Sequence, residues 1–481
     1  MKIPEKGVPR DELLQTLVDY RDKDADYKSG RVWGYVYDGG PEAEAISKEV
    51  YNDFLSINCL DPTVYPSVLR LENEIVAMAA AHLGGDRNVV GNFTTGGTES
   101  IMLAVKAARE YAAATRPEIT EPEILLPVTA HAAFHKAAKY LGLKPVVVPV
   151  DRDSFITDMA AMEAAISDST VLMVASATSY AHGVVDPVEQ TAALAQARDI
   201  PCHVDGCIGG FLLPFYRRLG SDIPPFDFSV PGVTSISMDL HKYGYCAKGA
   251  SVVLYRSKEL RKHQYFACSL WPGYTVVNTT VLSTKSAGPL AAAWAVMNFI
   301  GDEGYLELAR QTREASLALI EGLNAIEDLR VLGEPQMSLI AFASDTINVF
   351  RLCDAMNTKG WYIQPQLGFA GGPENVHLTV TPSSLKWVEP LLADLKTCIE
   401  EVRGVEKSEL ARAIPNLFAQ IDPASVNAET LGQMTQMAGI SSTDVPEQMA
   451  EINEILDALP DQINEKLLIE FMNDLFTQPK D

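Results

Sequence analysis

The sequence predicts an α/β protein in which a mostly parallel sheet is followed by a smaller C-terminal α+β domain. Short apolar runs alternate with helical stretches, and this alternation is typical of a parallel sheet covered by helices. The strand candidates are 124–128, 145–150, 171–175, 201–205, 235–239 and 251–255. From about residue 291 the pattern changes to a helix at 291–323, strands near 338–343 and 376–380, and a helix at 387–402. With 481 residues, 47% of them hydrophobic, the chain can bury a large core and should form more than one domain.

These patterns divide the chain into four regions. We expect an N-terminal helical arm at 1–58, a large domain at 59–290, a smaller C-terminal domain at 291–404 and an acidic helical extension at 405–481. The apolar stripe of the extension should pack on the body of the protein or on a partner subunit, and it is less typical of a separate binding module. That stripe consists of Ile452, Ile455, Leu456 and Leu459.

Composition narrows the function classes. A net charge of −24 with no evident basic patch argues against a nucleic-acid binder. No apolar run is long enough to span a membrane, and Met1–Arg10 is polar, so we expect neither a transmembrane anchor nor a signal peptide. Seven cysteines without a CxxC motif indicate reduced thiols in a cytoplasmic protein. We interpret Cys202 and Cys207 as packing residues and predict no metal site.

The segment Met238-Asp239-Leu240-His241-Lys242 carries the most specific chemistry. Lys242 follows an apolar strand and enters a glycine-bearing loop, a suitable place for a Schiff base to pyridoxal phosphate (PLP). Covalent amine catalysis needs an ε-amino group that is partly desolvated, so we expect the pKa of Lys242 to be lowered. Taken alone, a lysine in a loop is more typical of a solvated surface charge.

A glycine pair upstream suits a phosphate group. Gly96 and Gly97 precede Thr98 and a helical run, 101–114, whose apolar residues recur at helical spacing. Thr98 is predicted to cap this helix, and the glycines allow backbone N–H groups to approach a dianion at the positive helix end. An ordinary glycine turn before a helix is the alternative.

Two further side chains lie at predicted strand ends between these motifs. Asp205 ends the strand 201–205 and could keep a pyridine nitrogen protonated, or could simply cap the next element. His131 follows the strand 124–128 and could stack on a cofactor ring, or could be an ordinary hydrogen-bonding residue. The order phosphate loop, stacking histidine, ring-nitrogen aspartate and lysine is far more specific than any one member. It predicts a PLP-dependent enzyme.

Longer segments resemble sphingosine-1-phosphate lyases, which belong to the PLP-dependent group II decarboxylase superfamily. The resemblance runs from about residue 30 to about 403 and is carried by GRVWGYVY, GGTESIMLAVKAARE, HAAFHKAAKYLGLK, HGVVDPV, HVDGCIGGFLLPF and FDFSVPGVTSISMDLHKYGYCAKGASVVLY. It implies the type I, aspartate aminotransferase-like fold and a homodimer with shared active sites. Eukaryotic lyases of this family carry an N-terminal membrane anchor, which we do not expect here.

The resemblance also implies roles for individual residues. Lys242 would form the Schiff base, Asp205 would hold the ring nitrogen and His131 would stack on the ring, with His203 contributing beside Asp205. The phosphate of the cofactor would be bound by Gly96, Gly97, Thr98 and His241, and by Thr284 from the neighbouring subunit. Tyr37 and Lys248 would face the phosphate of the substrate.

One segment departs from the family pattern. The family usually continues its Trp-x-Gly with Gly-x-Tyr-x-Ser-Pro and then Gly-Ser-Arg-Pro-Gly, whereas this chain has 271–288 as WPGYTVVNTTVLSTKSAG. Lys285 stands in place of the arginine, which keeps the charge and loses the bidentate fork for phosphate. Cys246-Ala247-Lys248 likewise replaces the usual Ala-Pro-Lys.

Two reactions remain open for such a site. The first is cleavage of the Cα–Cβ bond of a phosphorylated long-chain base to phosphoethanolamine and a fatty aldehyde. The second is decarboxylation of an α-amino acid, for which Arg351 and Arg403 are candidates to bind the carboxylate. Tyr180 could carry a proton, or could only pack against the ring. A catalytically silent scaffold is disfavoured because Lys242, Asp205 and His131 are all present.

Overall fold

The computed structural model describes residues 2–418 and 448–478. A seven-stranded sheet forms its centre, in the order β1-β7-β6-β5-β4-β2-β3. The strands are β1 (Val90–Thr94), β2 (Glu123–Pro127), β3 (Lys144–Val148), β4 (Thr170–Ser176), β5 (Cys202–Asp205), β6 (Ser235–Met238) and β7 (Ser251–Tyr255). Only β7 runs antiparallel to its neighbours. The α/β fold class and the six predicted strands are confirmed, whereas β1 was not predicted.

Helices cover both faces of this sheet, and the strands between them are therefore apolar almost throughout. All seven residues of β4 are buried. The helices of this region are α3 (Pro66–His82), α4 (Gly97–Thr115), α5 (Ala132–Leu141), α6 (Met159–Ala164), α7 (Val188–Ala197), α8 (Gly209–Arg218) and α9 (Lys258–Arg261). Because β1, β2, β5 and β6 run in the same direction, the segments that follow them meet at one edge of the sheet.

A second, four-stranded sheet is antiparallel, in the order β10-β11-β13-β12. Its strands are β10 (Arg330–Val331), β11 (Leu339–Ala343), β12 (Gln364–Gln366) and β13 (Asn375–Thr379), and its helices are α11 (Val349–Thr358) and α12 (Val388–Val402). Helix α10 (Gly288–Asn324) connects the two sheets and is interrupted at Gly301, where φ is +64°. A hairpin of β8 (Phe266–Cys268) and β9 (Val276–Asn278) precedes it.

The N-terminal region contains α1 (Arg10–Tyr20) and α2 (Pro41–Phe54). Between them, the fully buried Trp33 joins the edge of the second sheet: its N–H donates to the carbonyl of Tyr362 (2.9 Å), and its carbonyl accepts from Thr379 (2.8 Å). This anchor places Tyr37 beside the edge of the large sheet.

After α12, the described residues contain three helices, α13 (Glu409–Phe418), α14 (Ala450–Ala458) and α15 (Asp461–Leu475). Ile455 and Leu459 of the predicted stripe are buried with residues of all three helices, among them Ile414, Ile463 and Leu467. The three helices are called here the C-terminal unit, and α14 also contacts α11. Because Ile455 and Leu459 pack inside this unit, the expectation that the stripe packs on the body of the protein is wrong for these two residues.

Candidate active site

A cavity of about 360 Å³ lies at the edge where the parallel strands end. Seven of the residues predicted for the site line it together: Gly96, Gly97, Thr98, His131, Asp205, His241 and Lys242. They come from four separate loops, which the strand order brings side by side. Thr95, Glu99, Ile101, Cys207 and Asp239 complete the lining.

Lys242 forms a buried ion pair that the sequence interpretation did not include. Its Nζ lies 3.0 Å from Oδ2 of Asp239, whose side chain is 2% exposed. Burial alone would lower the pKa of Lys242, but Asp239, Cys207 and Tyr37 together more than offset this, so the pKa is raised. The expected lowering of the Lys242 pKa is therefore wrong for this structure. In the same pair, burial raises the pKa of Asp239, but the charges of Lys242 and His241 together with hydrogen bonds from Ser251 and Lys242 lower it.

The N-terminus of α4 opens into the cavity. The helix begins at Gly97, so Thr98 lies in its first turn and makes no capping hydrogen bond; the predicted cap is wrong because the helix starts earlier. A Cβ atom on Gly97 would lie 2.8 Å from both Asp239 Oδ2 and Cys207 Sγ, which explains why only glycine fits there. His241 accepts from the N–H of Ala250 through Nδ1 (3.2 Å).

Glu99 holds the loop before this helix. Its Oε2 accepts from the backbone N–H (2.6 Å) and the hydroxyl (2.8 Å) of Thr95. Its Oε1 accepts from the N–H of Val281 (2.9 Å), which belongs to the segment leading to Thr284. Glu99 is buried and joins two segments that sequence interpretation treated separately.

Asp205 and His131 face the cavity from the ends of β5 and β2. Asp205 is 7% exposed, and its Oδ1 accepts from the N–H of Cys207 (3.0 Å). Nδ1 of His131 accepts from the N–H of Ala133 at the start of α5 (3.1 Å). That bond orients the imidazole and places any ring proton on Nε2.

His203 does not line the cavity. It is fully buried in β5, with its ring nitrogens 2.9 Å from the hydroxyl of Ser235 and 3.2 Å from that of Ser237. Burial lowers the pKa of His203 to about 4, so the ring is neutral. Ser237 also donates to Asp205 (3.5 Å), and any effect of His203 on the site passes through that hydroxyl.

The two residues expected to face a substrate phosphate lie together. Nζ of Lys248 is 4.9 Å from the ring centre of Tyr37 and donates to the carbonyls of Tyr35 and His241 (both 3.4 Å). Desolvation and the charge of Lys242 lower the pKa of Lys248. Burial raises the pKa of Tyr37 to about 12, against the opposing charge of Lys242.

Tyr180 lines a second, larger cavity of about 660 Å³. Its hydroxyl donates to Oε1 of Gln364 (2.8 Å), and its ring stacks on His377 at 4.4 Å. Its ring is 6.4 Å from that of His131, which lines both cavities. Burial raises the pKa of Tyr180, and the charge of Lys242 opposes this rise.

The remaining predicted residues lie elsewhere. Thr284 is exposed and borders a separate cavity of about 260 Å³, together with Lys285, which donates to the hydroxyl of Thr280 (3.0 Å). Arg351 pairs with Glu454, and Arg403 pairs with Asp328. Neither of the two arginines considered for a substrate carboxylate lines the cavity of Lys242.

Asp239, Glu99 and Cys207 line the cavity and were missed from the sequence. A signal existed for Asp239, because it stands three residues before Lys242 at the end of an apolar strand. Glu99 follows the glycine pair directly, but its contact with Val281 spans 182 residues and has no local signature. Cys207 was interpreted as a packing residue, and its position in the cavity wall was not foreseen.

This residue set fits PLP. Helix α4 begins at Gly97 in the cavity wall, so its N-terminal N–H groups and positive end are available to a phosphate. Asp205 offers a buried carboxylate to a ring nitrogen, and Oδ1 of Asp239 is buried without a partner. An amine, a carboxylate and an imidazole thus converge from three strand ends onto one cavity.

Comparison with known proteins agrees with this geometry. Residues 34–345 match the family model for the pyridoxal-dependent decarboxylase conserved domain. The chain is 40% identical to sphingosine-1-phosphate lyase of Dictyostelium discoideum over 83% of its own length and 74% of that protein. It is 41% identical to the Arabidopsis thaliana lyase over 84% and 74%. The chain belongs to the sphingosine-1-phosphate lyase family. The predicted family, the PLP cofactor and the enzyme class of PLP-dependent lyase are confirmed.

The fold comparison leads to the same family. The structure of the Burkholderia pseudomallei sphingosine-1-phosphate lyase superposes with a TM-score of 0.80 at 36% identity, covering 88% of this chain and 98% of that one. A second family model, for a C-terminal domain of pyridoxal-dependent enzymes of proposed HTH type, matches residues 409–474.

Within residues 2–418 and 448–478, no helix combines the length and apolar character needed to cross a bilayer. The same described residues contain no cluster of three or more metal-ligating side chains.

Proposed function

We propose that this enzyme cleaves the Cα–Cβ bond of a phosphorylated long-chain base such as sphingosine 1-phosphate, giving phosphoethanolamine and a fatty aldehyde. The observation that carries the proposal is the meeting of Lys242, Asp205, His131 and the N-terminus of α4 at one cavity. The names of the relatives supply the substrate class.

The residues of the cavity would divide the chemistry among them. When bound, pyridoxal phosphate supplies an electron sink for the electron pair released when a bond to Cα breaks. Lys242 would hold the cofactor covalently and give way to the amine of the substrate. Asp205 would keep the proton on the ring nitrogen, and His131 would cover one face of the ring. Asp239 holds the ammonium form of Lys242 whenever that side chain is free.

Two sets of groups would bind the two phosphates. The N–H groups at the start of α4, with Thr98 and His241, would bind the phosphate of the cofactor. Lys248 and Tyr37 would bind the phosphate of the substrate, because the ammonium group of Lys248 lies 4.9 Å from the ring centre of Tyr37. Holding the substrate at this end would leave its apolar part to extend away from Lys242.

Cleavage also requires that the β-hydroxyl proton leave as the aldehyde forms and that Cα regain a proton. Tyr180 is the proposed carrier of the hydroxyl proton. Its hydroxyl is already hydrogen-bonded to Gln364, and the nearby positive charge of Lys242 favours its ionised form. Lys242, once freed from the cofactor and held by Asp239 in its ammonium form, would return a proton to Cα.

We further propose a homodimer in which Thr284 reaches the cofactor phosphate of the neighbouring subunit. Thr284 does not line the cavity of its own Lys242, and it follows a hairpin region rich in exposed apolar side chains. These include Leu270, Tyr274, Val277 and Val281, each more than half exposed. Such a surface is typical of a protein–protein contact. A cytoplasmic location is proposed from the cysteine pattern alone.

Separate measurement of aldehyde and CO₂ tests the function. We expect the purified holoenzyme to release a fatty aldehyde from sphingosine 1-phosphate and no CO₂ from a panel of amino acids. Decarboxylation is less favoured because Arg351 and Arg403 are paired elsewhere. CO₂ release from an amino acid, without aldehyde from the phosphorylated base, would replace the lyase proposal by the decarboxylase.

A further inference from the structure

The C-terminal unit packs against the domain that contains the four-stranded sheet, called here the second sheet domain. Glu454 of α14 is fully buried and accepts from Arg351 through both oxygens (2.7 and 3.0 Å) and from Asn348 (2.8 Å). Asp354 of α11 accepts from the N–H groups of Met449 and Ala450 (both 3.0 Å) at the start of α14. Because an unpaired buried carboxylate is costly, these contacts define the position of α14.

From this position, α14 reaches a loop between β12 and β13. Asp457 accepts from the N–H of Gly368 (2.7 Å) and from Nζ of Lys407 (2.9 Å). The same Nζ lies 3.0 Å from a carboxylate oxygen of Glu374. The loop 367–374 is therefore held near both ends by Asp457 and Lys407. Between these ends, Ala370 (φ +51°) and Gly371 (φ +85°) form a tight turn closed by a hydrogen bond from the N–H of Gly372 to the carbonyl of Phe369 (2.9 Å).

This loop forms one wall of the larger cavity. Its contributions are Leu367, Phe369, Ala370, Gly372 and Pro373, and the cavity is also lined by Val147, Val148, Pro149 and Phe155. The lining is predominantly apolar. Since His131 borders both cavities, the larger one adjoins the site of Lys242 and extends away from it.

A nucleic-acid role for the C-terminal unit has little physical support. Residues 405–481 contain 14 acidic and only 4 basic residues, so this region repels a phosphate backbone. Two of its carboxylates, Glu454 and Asp457, are instead turned inward onto the second sheet domain and the loop 367–374.

We propose that Asp457 is a positioning residue that sets the outer wall of the larger cavity, and thereby how well the enzyme binds the apolar chain of its substrate. The inference rests on the proposed function for the identity of the substrate. It adds that the C-terminal unit acts on substrate selection through the loop 367–374, at a distance from Lys242.

Steady-state kinetics of the holoenzyme with a short-chain and a long-chain phosphorylated base tests this. Asp457→Asn removes the charge at nearly constant volume. It should raise KM for the long-chain substrate about ten-fold, with kcat and the short-chain KM unchanged. Lys407→Gln should shift KM in the same selective direction, because it frees the Glu374 end of the loop. Glu470→Gln, which removes an exposed carboxylate of α15, is the control and should behave as wild type.

A direct binding measurement distinguishes a failure of this inference from a failure of the proposed function. Titration of the holoenzyme with dodecyl phosphate, with inorganic phosphate as the reference, should show weaker binding of the alkyl compound to Asp457→Asn and unchanged binding to Glu470→Gln. If the wild type cleaves neither base, the proposed function fails and this titration alone decides the inference. Equal dodecyl phosphate affinity in the wild type and Asp457→Asn, or equal changes in KM for both chain lengths, would overturn the role of Asp457.

Discussion

Two opposing effects act on the amine of Lys242. Burial disfavours its charge, while the Asp239 carboxylate 3.0 Å away and the nearby Cys207 and Tyr37 favour it, and together these neighbours outweigh burial. An amine must be neutral to attack a carbonyl, so Asp239 controls the pH at which Lys242 can take up the cofactor. Single residues of this cavity thus act through their neighbours as much as through their own groups.

The cofactor should be attached to Lys242. Borohydride reduction of the purified holoenzyme should fix the label on this residue, and Lys242→Ala should abolish the absorbance band of the lysine-bound cofactor. Peptide mapping by mass spectrometry provides the measurement. A label on Lys248 or on the exposed Lys136 would show that the assignment is wrong.

Asp239→Asn should change the pH dependence of cofactor attachment. The native carboxylate raises the pKa of Lys242, so its removal lowers that pKa and the neutral amine becomes available at lower pH. Attachment to apoenzyme, followed by absorbance, should therefore reach its half-maximal rate at lower pH in the variant. Asp222→Asn, at an exposed carboxylate outside the cavity, should keep the wild-type profile. An unchanged profile in Asp239→Asn would exclude this control by Asp239.

Lys248→Ala should weaken recognition of a phosphorylated substrate. A charge-assisted contact to phosphate contributes about 1.5–3 kcal/mol, so kcat/KM should fall by roughly ten- to a hundred-fold or more while the cofactor stays bound. Lys136→Ala removes an exposed lysine and should leave the kinetics unchanged. Equal kinetics of wild type and Lys248→Ala would make Lys248 an ordinary surface charge.

At the scale of elements, the start of α4 organises the cavity. The helix begins at Gly97, where a side chain would collide with Asp239 and Cys207. Glu99 connects the preceding loop to the segment before Thr284 through hydrogen bonds. The first turn of α4 thereby provides free N–H donors, carries the positive end of the helix and is linked to the hairpin region.

Gly97→Ala should weaken cofactor binding. The added Cβ would lie 2.8 Å from Asp239 Oδ2, and overpacking of this kind costs about 1–3 kcal/mol, which corresponds to roughly a 5- to 150-fold rise in the Kd for PLP. Fluorescence titration of apoenzyme measures this Kd. Gly7→Ala, where the added Cβ meets nothing within 4 Å, is the matched control. An unchanged Kd for PLP would mean that the residues around Gly97 move to accommodate the added Cβ without a cost in free energy.

At the scale of the whole molecule, exposed apolar groups concentrate around residues 266–282, just before Thr284. In a dimer with a two-fold axis through this surface, Thr284 of each subunit would reach the cavity of the other, because isologous contacts are reciprocal. Cofactor binding would then stabilise the dimer by linkage.

Mixing two inactive variants tests the shared site. Lys242→Ala lacks the amine, and Thr284→Asp sets a negative charge against the cofactor phosphate. After subunit exchange at equal amounts, half of the dimers are mixed and each has one intact site, so roughly a quarter of wild-type activity should return. Sedimentation confirms the dimer and labelled subunits confirm exchange. Activity that stays at zero after confirmed exchange would exclude a site shared through Thr284.

By itself, the sequence determined the α/β class, six of the seven strands of the large sheet, and the loops that carry Gly97, His131, Asp205 and Lys242. These features were predictable because they depend on local periodicity and on residues at strand ends. Strand β1 escaped detection because its five residues, VGNFT, include Gly91 and Asn92, which are uncommon in strands.

Only the tertiary structure decided which residues meet. The Glu99–Val281 contact, the turn of Arg351 toward Glu454 and the hold of Asp457 on Gly368 join segments 89 or more residues apart, and no local pattern marks them. The raised pKa of Lys242 likewise depends on the balance between burial and a carboxylate at 3.0 Å. Long-range packing sets both the identity of the residues in contact and the pKa of Lys242. Both therefore depend on the folded chain and not on the order of its residues alone.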